Sequence, residues 1–159
     1  MIRKKNLFIP YGKQNITEDD IEAVIKTLRD SMITQGPNIP LFEKKIGEKV
    51  NAKHVVAVNS ATSALHIACK AIELSSTDWL WTSPITFVTS ANCGRYCGAN
   101  VDFVDIDPST GLMDIEKLSE KLENAKILGK LPKILIPVHL AGSSCDMQKF
   151  KKLSEKYGF

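Results

Sequence analysis

Long apolar runs are missing from this 159-residue sequence, so no segment approaches the roughly 20 residues that a membrane-spanning helix needs. The basic opening, MIRKKNLFIPYGKQ, has no apolar stretch of signal-peptide length behind it, and the expected compartment is the cytoplasm. An excess of one charge is lacking too. The 21 Lys and Arg against 18 Asp and Glu leave +3, too small and too scattered to suggest nucleic acid or an anionic membrane. Near the C-terminus Lys149, Lys151 and Lys152 are interrupted by Phe150, the pattern of a helix with one wet and one buried face. Cysteine is scarce: Cys69, Cys93, Cys97 and Cys145 form no CxxC pair and no regular framework. That argues against a zinc knuckle or a disulfide scaffold and favours buried free thiols. Cys93 and Cys97, one helical turn apart, leave a metal site completed by a distant His as the lesser alternative.

What remains is ordinary. With 43% hydrophobic and 25% charged residues and a mean hydropathy of −0.09, the composition is that of a globular protein of about one domain. Thr17 is placed to cap a helix whose first turn, Glu18, Asp19 and Asp20, suits the positive end of the helix dipole. Ile21, Val24, Ile25 and Leu28 recur at helical spacing, and the helix should end near Asp30. The segment SMITQGPNIP carries Gly36, Pro37 and Pro40, which favour an irregular connection. A second helix follows, with Leu41, Phe42, Ile46 and Val50 on its apolar side.

Beyond residue 50 short apolar runs alternate with helical stretches. HVVAV (54–58), WLWT (79–82), VDFVDI (101–106) and KILIPVHL (133–140) read as strands. SALHIACKAI (63–72), TFVTSANCGRY (86–96) following Pro84, DIEKLSEKLENA from Asp114 and a last helix opened by Asp146 read as the intervening helices. Continuous apolar strands alternating with helices imply an α/β fold with a mainly parallel sheet covered on both faces. After EKYGF the alternation calls for a further strand. The expected organisation is an N-terminal helical segment, 1–50, followed by an incomplete large domain, 51–159.

Two segments bear chemistry. In VAVNSATSALHIA (56–68) a strand delivers Asn59, Ser60, Ala61, Thr62 and Ser63 to a helix start, where free amides and hydroxyls can hold a phosphate. Simple capping explains the same residues equally well, and the GxxxxGK[ST] pattern of a P-loop is missing. In WTSPITFVTSANC (81–93), Phe87 lies among Thr86, Thr89 and Ser90 at the end of the next strand. Open α/β sheets bind ligands along that edge. An aromatic face beside a phosphate cup suits a planar phosphorylated cofactor, although Phe87 taken alone reads as core.

The series IPYGKQNIT, SMITQGPNIPLFE, NSATSALHIA, WTSPITFVTSANC, VDFVDIDPSTGLMD and PVHLAGSSCDM resembles, in order and along the whole chain, the N-terminal portion of the DegT/DnrJ/EryC1/StrS sugar aminotransferases. These are pyridoxal phosphate (PLP) enzymes of the aspartate aminotransferase-like fold. The branch it most resembles acts on UDP-linked 4-keto-6-deoxy amino sugars in pseudaminic acid synthesis. The resemblance implies Thr62 and Ser63 on the cofactor phosphate, Ala61 lining both the cofactor and the substrate, and Phe87 stacked on the pyridine ring. It also implies Tyr11, Ser31, Met32, Ile33 and Thr34 on the nucleotide sugar, and Pro137 to Gly142 beside the cofactor.

In the family the carboxylate that pairs with the ring nitrogen and the Schiff-base lysine fall in segments beyond Phe159. None of the lysines present resembles the lysine motif, so no catalytic residue is assigned and the chain alone is expected to be inactive. Glutamate is the implied amino donor and a homodimer the implied assembly. A sugar dehydratase of the same family, with His in place of the lysine, and a non-catalytic truncated product remain alternatives.

Other candidates have plainer readings. His54 opens a strand, His66 sits in an apolar helix, and His139 lies near a strand end with some prospect of a site role. Asp102, Asp105 and Asp107 precede a Pro-Ser-Thr-Gly turn and suit turn chemistry better than a metal. Trp79 and Trp81, two apart, share one face of a strand.

Overall fold

The structure, a computed structural model, describes residues 10, 12–30 and 32–159, and the chain divides into two compact units at the 57/58 boundary. The first unit contains α1 (Glu18–Leu28) and α2 (Asn38–Val50). Thr17 caps α1 in a capping box: its hydroxyl accepts from the Asp20 amide, while the Asp20 carboxylate accepts from the Thr17 amide at 2.8 Å. Between the helices, a Cβ at Gly36 would overlap the Met32 carbonyl, so only glycine permits that turn. The Asn38 side-chain amide donates to Thr27 Oγ1 at 2.9 Å and joins the end of α1 to the start of α2. The apolar stripes foreseen for the two helices are present, and neither helix buries a residue completely.

Residues 54–58, expected as a strand, form none. The segment is an extended run with no ladder partner among the described residues, and the Ala57 amide donates instead to the Glu43 carboxylate at 2.9 Å. β-branched composition favours an extended backbone, but a strand exists only where a second strand meets its amides and carbonyls.

The second unit is an α/β layer structure. Its elements run α3 (Ala61–Ala71), β1 (Trp79–Thr82), α4 (Thr89–Tyr96), β2 (Asn100–Phe103), α5 (Ile115–Leu128), β3 (Ile134–Ile136), a 3-10 turn (Leu140–Gly142) and α6 (Met147–Tyr157). The sheet has the order β2-β1-β3 and is parallel throughout, with Thr82 opposite both Phe103 and Ile136. Period-two alternation sorts the strand side chains into two cores. Trp81, with Trp79 and Leu135 beside it, faces Leu118 and Leu122 of α5 and Phe150 of α6. Leu80, with Ile134 and Ile136, faces Cys69 of α3 and Cys93 of α4. The chain therefore crosses from β1 to β2 over one face and from β2 to β3, in the opposite direction, over the other. Reversing direction together with face keeps both crossovers the same hand.

Candidate functional site

The connection leaving β1 leads to α4 on one face, and the connection leaving the adjacent β3 leads to α6 on the other. Diverging connections open a crevice at the carboxyl ends of the strands, the place where open α/β sheets hold ligands. Thr82 Oγ1 donates to the Ile136 carbonyl at 3.0 Å and ties the two strand ends together there. Ser83, the next residue, is 1% exposed, and its hydroxyl has no partner among the described residues. A buried hydroxyl left this way costs about 1–3 kcal/mol and is uncommon in a folded chain.

α3 begins with neutral caps. Ser60 accepts from the Ser63 amide at 3.1 Å, and Ser63 donates its own hydroxyl proton to Asn59 Oδ1 at 2.8 Å. Ser60 and Ser63 hydroxyls lie 3.0 Å apart, and with the Ser63 proton committed to Asn59, Ser60 is the donor between them. The amides of Ala61 and Thr62 have no acceptor among the described residues. No acidic residue stands in the first turn of α3. The N-terminus thus offers two amides and the Thr62 hydroxyl to an anion, whereas Ser63 would have to release Asn59 before donating.

Phe87 stands on a loop held from several sides. Its carbonyl accepts from the Ser90 amide at 2.9 Å, and Thr86 Oγ1 pairs with Ser90 Oγ at 2.8 Å. These bonds tie residues 86 and 87 to Ser90, and α4 starts only at Thr89, three residues after the start expected at Thr86. Phe87 is 56% exposed, a solvent-facing aromatic and not the core residue that it resembles in isolation. The two chemistry-bearing segments meet where Thr62 Oγ1 and Thr89 Oγ1 lie 3.2 Å apart, so residues 61–63 and 87–89 are neighbours although 27 positions separate the bonded pair.

Sequence reasoning named Ala61, Thr62, Ser63 and Phe87 but not the buried Ser83 or the contact of Thr62 with Thr89. Burial and a hydrogen bond between distant positions identify those two, and neither leaves a local pattern. Met32, Ile33 and Thr34 lie in the exposed connection of the first unit, while Tyr11 and Ser31 lie outside the described residues. His139 is engaged structurally: its Nδ1 accepts from the Cys145 amide at 3.0 Å. That bond closes the turn from His139 to Cys145, and with Nδ1 accepting, the ring's proton lies on Nε2. His54 is exposed, and His66 packs edge-on against Tyr96 with 5.4 Å between ring centroids.

The acidic cluster does turn chemistry. Asp107 accepts from the Ser109 amide at 2.8 Å and from the Ser109 and Thr110 hydroxyls, and Asp105 pairs with Lys117 at 2.8 Å. These contacts hold both carboxyls below the usual range, by side-chain hydrogen bonding first in each case. Burial pushes the Cys69 thiol up to about 12, with a further contribution from Cys93 beside it, so it is not a nucleophile at neutral pH. Among the described residues no group of three acidic, His or Cys side chains gathers around a point that could hold a metal.

Residues 14–159 match the profile of the DegT/DnrJ/EryC1/StrS aminotransferase family. The chain belongs to that family. It is 37% identical over 158 residues to the spore coat polysaccharide biosynthesis protein SpsC of Bacillus subtilis, covering 99% of this chain and 39% of SpsC. It is also 37% identical over 150 residues to the UDP-4-amino-4,6-dideoxy-N-acetyl-beta-L-altrosamine transaminase of Campylobacter jejuni, covering 94% of this chain and 38% of that enzyme. Among solved structures it superposes with a TM-score of 0.80 and 31% identity on Spr1654 of Streptococcus pneumoniae, described as a sugar aminotransferase and solved in a PLP-form. That match covers 93% of this chain and 36% of Spr1654. The chain thus spans about two fifths of the length of the curated relatives it matches. The family is enzymatic and PLP-dependent, and the parallel sheet between helices is the fold of its solved members.

Proposed function

We propose that residues 58–159 supply the phosphate cup and ring-face contact of a PLP-dependent aminotransferase that acts on a nucleotide-linked 4-keto-6-deoxy sugar, with glutamate as amino donor. The observation that carries this reading is the Thr62–Thr89 contact of 3.2 Å, which brings a helix start with two unpaired amides to the loop presenting an exposed aromatic. The residues fit the group. Ala61 and Thr62 amides and the Thr62 hydroxyl would hold the phosphate dianion, with Ser63 joining if it releases Asn59, and the small side chains of residues 60–63 let an anion approach the backbone. Phe87 would cover one face of the pyridine ring and exclude water from it. When bound, PLP supplies an electron sink for charge developing at the carbon next to the transferred nitrogen.

Tyr11 and Ser31 to Thr34, with Ala61, are assigned to the nucleotide sugar. No residue of the chain is given a proton-transfer role, because none resembles the family's lysine or its ring-nitrogen carboxylate. The complete enzyme is taken to be a cytoplasmic homodimer with 51–159 as part of its large domain, working without nucleic acid or membrane.

The test is a titration of the chain with PLP and, separately, with pyridoxal, which lacks the phosphate, followed by amide and aromatic NMR shifts. PLP should move the signals of Ala61, Thr62, Ser63 and Phe87, and pyridoxal should move them far less. Equal responses to the two, or none, would refute the assignment. Borohydride treatment should leave no stoichiometric adduct on a single lysine; finding one would show that a catalytic lysine is present after all.

A further inference from the structure

We infer that Thr89 is a positioning residue for the anion held at the start of α3: its buried hydroxyl donates to Thr62 Oγ1 and so leaves the Thr62 proton free to point at the ligand. The inference rests on reading that helix start as the phosphate cup. The Oγ1 atoms of Thr62 and Thr89 are 3.2 Å apart, and either could be the donor on distance alone. A hydroxyl has one proton and two lone pairs, so one proton fills the bond and one is left over.

Burial decides which. Thr89 is 3% exposed, and Thr62 Oγ1 is the one partner its hydroxyl meets among the described residues. If Thr62 were the donor, the Thr89 proton would be buried without an acceptor, at the cost that a missing hydrogen bond carries away from water. Thr62 is only half-buried, and its proton can go to water or to an anion. The arrangement with Thr89 donating satisfies both groups.

The direction matters for binding. A Thr62 that donated to Thr89 would turn lone pairs toward a phosphate oxygen and repel it. A Thr62 that accepts from Thr89 presents O–H, polarised by the bond it receives. Thr89 is held in place by α4, whose Gly94 packs directly on Leu80 and Val101, so the donor is fixed by the sheet and not by the loop.

The experiment titrates the 159-residue chain with inorganic phosphate and reads the amide shifts of Ala61, Thr62 and Ser63, with thermal melts as a folding control. T89V keeps the shape and removes the hydroxyl; it should weaken phosphate binding roughly fivefold, the scale of one hydrogen bond. T89S should bind as the wild type does. In a T62V background, T89V should cause no further loss, because Thr89 acts through Thr62. If T89V does not fold, T89A is compared with T89S, which differ by the hydroxyl alone. Unchanged binding in T89V, equal loss in T89V and T89S, or a full effect of T89V in the T62V background would each overturn the role of Thr89 while leaving the phosphate cup standing. A wild-type chain whose 61–63 amides ignore phosphate would overturn the cup and this inference with it.

Discussion

Replacing Gly94 by alanine sets two known effects against each other at the contact that seats α4 on the sheet. In a helix interior the change gains about 1 kcal/mol, because alanine loses less backbone entropy than glycine. Against that, the new Cβ would stand 3.1 Å from Leu80 Cβ, 3.2 Å from Leu80 Cδ1 and 3.2 Å from Val101 Cγ2. Carbon atoms in ordinary contact sit about 3.5–4.0 Å apart. Leu80 cannot withdraw: it is 0% exposed and is packed against Cys69, Leu74, Cys93 and Ala99. Overfilling of this kind costs about 1–3 kcal/mol.

The packing cost should win, for a net loss of about 0.5–2 kcal/mol. Trp79 and Trp81 lie in the sheet beneath, so their fluorescence reports unfolding of this unit in urea. With a slope of about 2 kcal/mol/M, the midpoint should fall by roughly 0.3–1 M, and G94V should fall further. A higher midpoint for G94A would mean that helix propensity governs the position. It would refute the close approach of α4 to β1 and β2 on which the placement of Thr89 depends.

Three further outcomes follow from named contacts. Leu118 is fully buried against Trp81, Val104 and Leu122, so L118A should cost about 2–5 kcal/mol in the same urea assay, and a loss under 1 kcal/mol would contradict that core. The Asp78 carboxyl is held below its usual range, first by the Ser75 hydroxyl, then by the Ser75 amide, with Lys133 adding less. A carboxylate depressed on folding contributes stability that is in place above about pH 4 and fades as pH falls through the lower folded value. D78N should therefore flatten the acid limb of stability measured between about pH 2 and pH 6; an unchanged limb would count against the pairing. H139A deprives the Cys145 amide of its acceptor, and hydrogen exchange at Cys145 should quicken roughly fivefold, with no change if the turn is held elsewhere.

Three helix starts were legible because capping by a side chain is local. Thr17, Asp114 and Asp146 cap α1, α5 and α6 as their spacing suggests. β1 matches the run WLWT residue for residue. Other strands proved shorter than their apolar runs, for physical reasons that act against the ladder. In VDFVDI the last ladder bond runs from the Val104 amide to the Thr82 carbonyl, and the Ile106 amide turns instead to the Asp105 carboxylate at 2.9 Å, so β2 ends at Phe103. In KILIPVHL the strand stops at Ile136, where Pro137 has no amide to offer. Residues 54–58 have strand composition without a ladder partner among the described residues. Of the site, the residue types at 61–63 and 87 could be read; their meeting through Thr62 and Thr89 could not, since no sequence period links positions 27 apart.

The helix starts also differ in how they treat their own dipoles, and this bears on where an anion can bind. α1 opens with Glu18, Asp19 and Asp20, α5 is capped by Asp114 with Glu116 in its first turn, and α6 is capped by Asp146. Each neutralises its positive end with its own carboxylate, an arrangement worth about 0.3–1 kcal/mol per charge. α2, α3 and α4 forgo that stabilisation, with no acid in the first turn, and of the three α3 is capped by a side chain, Ser60. A carboxylate at position 60, 61 or 62 would stabilise the isolated helix and repel a phosphate at the same point. What sets the start of α3 apart is that the Ala61 and Thr62 amides, which meet no acceptor among the described residues, lie beside the loop of the exposed Phe87, and there a dianion would find its donors.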